Sequence, residues 1–386
     1  MIGNALDSLQ KISSAKKILF ITHTTSIYGA ARSLEILLRN LEGDHHLLIP
    51  RSSLKQDSDL QKISERFNIP ENRIHVRSLP FRVCFIAEKA PWRRRLKRSW
   101  QNWRWRKTEI ENFSVWLKEE NFSTVHLNSL ALIDLVATKP DFILHVRERW
   151  TSRNSAMEGQ IKKAKALVFI DSSTKESLAH LSGPKTITLS NPVEISLPAE
   201  SEILRMRNEL LKEPASKLIL FSMIGRLDFP NKGVDFVLEQ FKKLENPQAR
   251  LLIFGKGTPE NFSDAKQIAG KDSRIRFLGE LADQNKIYAC SDVILRGENS
   301  FAVGRTVLEG LAAGCRVIMP KKSSPLSEED VPPAHLPQLD FYQARDADSF
   351  LNTLRKNASF QRMSPNPVKT GQEYAQNFLD FVNDSL

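Results

Sequence analysis

Apolar and polar positions along this chain switch repeatedly between two periods. Short apolar runs of the kind that form buried strands lie at 16–22 (KKILFIT), 45–49, 124–127, 142–146 and 167–170. After the first run, Leu34, Leu37, Leu38 and Leu41 recur at i, i+3, i+4 and i+7, a stripe that packs a helix on a sheet. Strands alternating with such helices predict βαβ units and a parallel sheet. The pattern stops at 190–200 (SNPVEISLPAE), where Pro192 and Pro198 mark a linker. It restarts with strand-like runs at 218–223, 250–254, 275–278, 293–295 and 316–319, and with a helical stripe of Val234, Val237, Leu238 and Phe241. A breaker-rich stretch at 364–367 precedes a predicted helix around 374–382. The expected organisation is an α/β domain over 1–195, a second over 196–365, and a C-terminal helical segment, 366–386, that crosses back to the first domain.

Composition narrows this picture without changing it. At 386 residues the chain exceeds what one core organises, and 41% hydrophobic with 26% charged residues excludes disorder, collagen-like repeats and a coiled coil. No run approaches 18 apolar residues, so no membrane-spanning helix is expected, and the N-terminal 17 residues lack a signal peptide's apolar stretch. Cys84, Cys290 and Cys315 lie far apart without metal-ligand spacing, which suits reduced thiols in a cytoplasmic protein.

Charge, by contrast, is concentrated. The net charge is +11, from 56 Lys+Arg against 45 Asp+Glu. Residues 92–107 (WRRRLKRSWQNWRWRK) contain six Arg, two Lys and no acidic residue. As a helix, this segment places Trp92, Leu96, Trp100 and Trp103 on one face, with Arg93, Arg94, Arg95, Lys97, Arg98 and Arg104 around or opposite it. Three readings suit that pattern: an interfacial helix on an anionic membrane, a stacking platform for single-stranded nucleic acid, and a solvated basic face over buried tryptophans.

Ligands of open α/β sheets bind outside the carboxyl ends of strands, where turns lead into helix N-termini. Candidate turns here are 28–33 (YGAARS), containing Gly29, the Gly255-Lys256-Gly257 turn after LLIF, and Gly304-Arg305-Thr306 ahead of Glu309. The strongest signal is 225–233, GRLDFPNKG. Gly225 and Arg226 end an apolar strand there and Lys232 begins a helix, a spacing that can bring a guanidinium and an ammonium onto one anionic ligand, with two solvated charges as the alternative.

GRLDFPNKG resembles the GR-x5-KG motif of retaining GT-B glycosyltransferases of the family 4 type. YGAARSLEILL resembles the N-terminal signature of that family, LLIFGKG and IRFLGEL its second-domain strands, and SDVILRGENSFAVGRTVLEGLAAGCRVIMP its paired-glutamate block. His126-Leu127-Asn128-Ser129, His145-Val146-Arg147-Glu148 and Asn191-Pro192-Val193 sit where members place similar residues. The resemblance implies a GT-B fold, two Rossmann-like domains facing across a cleft, and sugar transfer from a UDP- or GDP-linked donor to a lipid-linked or surface-polysaccharide acceptor. Arg226 and Lys232 would then carry the donor diphosphate, with amides at Gly29, Gly225, Gly257, Gly304 and Arg305 around it. Glu309 would accept from the ribose, and His145 would meet the donor sugar. No cofactor and no metal are implied.

This chain departs from the motif at Phe301, where the first glutamate belongs, and at Arg296, where proline is common; Tyr28 replaces a glycine. Glu298 would substitute for the missing glutamate if the loop is rearranged. The phenylalanine leaves a non-catalytic GT-B-like binding module as the alternative. In the family context the basic helix is assigned to an anionic membrane surface rather than nucleic acid, and the protein to the cytoplasmic face of the cell membrane as a peripheral enzyme.

Overall fold

The computed structural model describes residues 17–26, 29–54, 56, 58–80, 92–138, 142–150, 155–227, 229–281, 283–360, 362–368 and 370–385, with the side chains of 92–95, 98, 230 and 231 left undescribed. Tyr28, Cys84 and Asp228 therefore lie outside the described residues. The chain forms two compact units. The first holds the described residues up to Ser190 together with the helix Gly371–Ser385, and the second holds Asn191–Thr370.

The first unit is built on strands β1 (Ile18–Ile21), β2 (His45–Pro50), β3 (Ile74–Arg77), β4 (Thr124–Leu127), β5 (Phe142–Val146), β6 (Ala166–Phe169) and β7 (Lys185–Thr188). They pair in parallel in the order β3-β2-β1-β4-β5-β6-β7. The strand order reverses direction between β1 and β4, the point where open sheets of this type bind ligands. The central strands β1, β4, β5 and β6 are buried along their whole length, mostly by apolar residues, because helices cover both faces. The Leu34, Leu37 and Leu38 stripe of helix Gly29–Arg39 is buried, and Tyr374, Phe378 and Val382 of helix Gly371–Ser385 join the same cluster with Phe20.

The second unit repeats the plan with β8 (Ile219–Ile224), β9 (Ala249–Phe254), β10 (Ile275–Gly279), β11 (Val293–Leu295), β12 (Arg316–Pro320) and β13 (Leu339–Tyr342), in the parallel order β10-β9-β8-β11-β12-β13. Its reversal falls between β8 and β11. Val234, Val237, Leu238 and Phe241 of helix Val234–Phe241 are buried against β8 and β9 residues such as Phe221 and Leu251.

Strands β3, β7 and β13 are additions to the sequence reading. Each lies at a sheet edge and carries polar residues (IHVR, KTIT, LDFY), so no apolar run announces it. Among the described residues no helix is long and apolar enough to cross a membrane. Cys290 and Cys315 are buried free thiols.

Candidate active site

In the second unit the candidate residues gather at the carboxyl ends of β8, β9 and β11. β8 ends at Ile224, Gly225 turns the chain with φ +139°, and Arg226 follows, exposed. The buried Leu227 anchors this turn, its N–H donating to the Lys256 carbonyl at 2.8 Å. Lys232 closes the one-turn helix Phe229–Lys232 rather than opening a helix, and left-handed Gly233 (φ +62°) caps the helix Val234–Phe241 that follows. This corrects the sequence expectation for Lys232.

Backbone contacts explain the glycines better than ligand contacts do. A Cβ on Gly255 would fall 1.7 Å from the Gly225 carbonyl oxygen, and one on Gly233 would fall 1.8 Å from that of Gly297. Only glycine permits these approaches. They hold the Arg226 turn against the Gly255 turn, and the end of the Lys232 helix against the loop after β11. Gly257 packs in the same manner, since a Cβ there would lie 2.9 Å from that of Leu227.

The loop after β11 carries a cluster of charges that the spacing alone did not reveal. Lys232 Nζ donates to Glu298 Oε1 at 3.0 Å. Arg296 donates to the same carboxylate, Nε to Oε2 at 3.0 Å and Nη2 to Oε1 at 2.6 Å. Burial would raise the Glu298 pKa, but the Arg296 and Lys232 charges outweigh it and hold the carboxyl below its ordinary value. Arg296 is buried, and its main-chain oxygen accepts from Tyr342 Oη at 2.7 Å. A Cβ on Gly304 would lie 3.7 Å from both of its Nη atoms. Gly304 is the N-cap of helix Arg305–Ala312, which has no acidic residue in its first turn. A guanidinium and an ammonium therefore hold one carboxylate, and the guanidinium in turn lies against the helix N-terminus at Gly304.

Two expected residues sit deeper than anticipated. Glu309 is 3% exposed; its Oε2 accepts from Tyr288 Oη at 2.7 Å and its Oε1 from Arg305 at 2.7 Å. Arg305 also donates to the Pro192 carbonyl, so its side chain is engaged within the unit. Phe301 is 6% exposed among Val193, Val303 and Val307, in the apolar core. The position expected to face a sugar is a packing position here.

In the first unit, the two tetrapeptides singled out in the sequence come together at the ends of β4 and β5. Arg147 Nε and Nη2 donate to Asn128 Oδ1 at 3.0 and 2.9 Å, and Asn128 Nδ2 donates to the Ala30 carbonyl at 3.0 Å, in the first turn of helix Gly29–Arg39. Ser129 Oγ donates to Glu148 at 2.5 Å. Gly29 adopts φ +55° and is exposed, with open space where a Cβ would point. His145 is fully buried on β5, its Nδ1 3.3 Å from His126 Nε2 and 3.3 Å from Arg147 Nη2. Desolvation, then the Arg147 charge, lowers the His145 pKa well below the ordinary value and that of His126 to about 3, so both rings are neutral. The His145 ring thus lies in a buried network beneath Arg147, and among the described residues its Nε2 meets no hydrogen-bond partner.

The basic segment is helical over Trp92–Thr108. The side chains of Trp92, Arg93, Arg94, Arg95 and Arg98 are among those not described. Leu96, Trp100 and Trp103 are 58%, 56% and 58% exposed, Lys97 is exposed beside them, and the Arg104 guanidinium lies 5.6 Å from the centre of the Trp100 ring. Trp105, off the stripe, is buried and donates to the Ser78 carbonyl at 2.9 Å, while Arg106 pairs with the buried Asp134 at 2.5 Å. Among the described residues no group of three or more His, Cys, Asp or Glu is placed to hold a metal ion.

Comparison with known proteins places this geometry. Residues 219–333 match the family model described as Glycosyl transferases group 1. Over 125 residues the chain is 30% identical to the lipopolysaccharide glucosyltransferase WaaG of Escherichia coli K12, a match covering 32% of each chain, so it spans about a third of that relative's length. Among solved structures, Anabaena Alr3699/HepE in complex with UDP and glucose superposes with TM-score 0.68 at 14% identity, covering 96% of this chain and 100% of that one. The lipopolysaccharide outer core galactosyltransferase WaaB gives 0.61 at 18%, covering 96% and 99%. The chain has the GT-B fold, and residues 219–333 of its second unit match a glycosyl transferases group 1 domain.

Proposed function

We propose that this protein is a metal-independent, retaining glycosyltransferase that moves a sugar from a UDP- or GDP-linked donor to a lipid-linked or surface-polysaccharide acceptor at the cytoplasmic face of a membrane. The observation that carries the reading is the placement of Arg226 and Lys232 after β8, on one side of the sheet reversal of the second unit, with helix Arg305–Ala312, whose first turn has no acidic residue, following β11 on the other. In this reading the two cations and the Gly304 and Arg305 amides neutralise the charge that grows on the diphosphate as the glycosidic bond breaks, commonly the largest catalytic contribution. The acceptor hydroxyl attacks the anomeric carbon on the side the diphosphate leaves, and its proton passes to the departing phosphate oxygen. No separate base is required. Glu309, paired with Arg305, accepts from the ribose. The WaaG and WaaB relatives support an acceptor of surface-saccharide type, and the HepE complex supports UDP as the nucleotide. The exposed Leu96, Trp100 and Trp103 stripe supports the membrane surface.

A second reading is favoured by the apolar surroundings of Phe301: a GT-B module that binds a nucleotide without turnover. A thermal-shift screen against UDP, GDP, ADP and their sugars tests the donor site common to both. Ligand at about 100 times its Kd adds about 2.7 kcal/mol to stability, so a rise in melting temperature with one nucleotide is expected. No rise with any of them removes the donor site.

A further inference from the structure

The loop after β11 has exchanged two features at once relative to the motif it resembles. It has lost the acidic residue at 301, now in the apolar core, and gained an arginine at 296. The Lys232–Glu298–Arg296 cluster links the two changes. From the surface inward run Lys232, 38% exposed at its side chain, then Glu298 at 14%, then Arg296 at 9%. Glu298 thus has an inner partner that is buried and contacts both of its oxygens, and an outer partner on one oxygen that solvent and ligands can reach. A bidentate guanidinium–carboxylate pair of this type is geometrically fixed, whereas an ammonium is a mobile point charge on a flexible stem.

Resting on the donor reading above, we infer that Glu298 is the internal counter-ion of Lys232, displaced when a nucleoside diphosphate arrives, and that its carboxylate then accepts from a hydroxyl of the donor sugar. The diphosphate takes over the Lys232 ammonium. Glu298 loses its outer contact at Oε1 but stays ionised, because Arg296 still compensates its charge, and Oε1, still bonded to Arg296 Nη2, has a lone pair open to a hydroxyl. Arg296 acts through Glu298 and is a positioning residue. It allows the carboxylate to give up Lys232 without leaving a buried charge unpaired, which would otherwise be costly. Sugar recognition is thereby coupled to diphosphate binding, and the loop regains the acceptor group that Phe301 cannot supply.

Calorimetric titration with UDP, GDP, ADP and UDP-glucose tests this. Glu298→Gln frees Lys232, so it should bind the preferred nucleoside diphosphate about tenfold more tightly, in the usual range of coupling between sites. It should also lose the extra affinity that the attached sugar confers. Because Glu298→Gln leaves Arg296 buried without its partner, the compensated Arg296→Met/Glu298→Gln variant is measured beside it, with the same two changes expected. In a Lys232→Gln background the Glu298→Gln gain should vanish, which a merely structural role for Glu298 would not produce. Wild-type protein that binds none of the nucleotides overturns the donor reading and this inference together. Wild-type protein that binds one, with weaker binding in both glutamine variants, overturns this inference alone.

Discussion

At the scale of single residues, position 301 separates motif from environment. The resemblance assigns it to the donor sugar, and the structure assigns it to the apolar cluster of Val193, Val303 and Val307. Phe301→Glu would therefore place a carboxylate in an apolar cluster whose neighbouring cation, Lys322, 5.7 Å from the centre of the Phe301 ring, is already paired with Asp330. Unpaired buried charge costs several kcal/mol, and for a unit of this size 3 kcal/mol lowers the melting temperature by roughly 10 °C. A loss of that order by calorimetry is expected; a stable variant with changed donor preference would return the position to the site. The Glu298 carboxylate was legible as a candidate, but its partners were not. Lys232 lies 66 residues away in sequence, and only the close approach of Gly233 to Gly297 brings them together. Nothing in local spacing encodes a contact of that range.

Elements were legible in proportion to how completely they are buried. Central strands such as β1 and β5 read as apolar runs because helices cover both their faces, while edge strands β3, β7 and β13 carry mixed side chains and escaped notice. The helix Trp92–Thr108 was legible as an amphipathic element, yet its division of labour was not. Trp105 and Arg106 fasten it to the first unit through Ser78 and Asp134, leaving Leu96, Trp100 and Trp103 turned outward. Co-sedimentation with anionic vesicles should fall by about tenfold for each of Trp100→Ser and Trp103→Ser, from the apolar area each buries at the headgroup level. Trp105→Ala should instead lower thermal stability. Unchanged vesicle binding in the double Trp100→Ser/Trp103→Ser variant would detach this helix from the membrane role.

For the whole molecule, the order of blocks along the chain carried more than any block alone. Two parallel sheets with the same reversal of strand order follow from the same alternation of apolar run and helical stripe, written twice. The glycines at 225, 233, 255 and 297 then bring the turns of the second unit into contact, so that its charged residues meet at the carboxyl ends of β8 and β11. In the proposed reaction that assembly would fix positive charge where a diphosphate departs. The most direct measurement is donor turnover, read as nucleoside diphosphate released from UDP- and GDP-sugars, in wild-type protein and in Arg226→Ala of unchanged melting temperature. Loss of about 10²–10³ in turnover, equivalent to roughly 3–4 kcal/mol of charge stabilisation, is expected. Turnover in Arg226→Ala equal to that of the wild type would contradict the account.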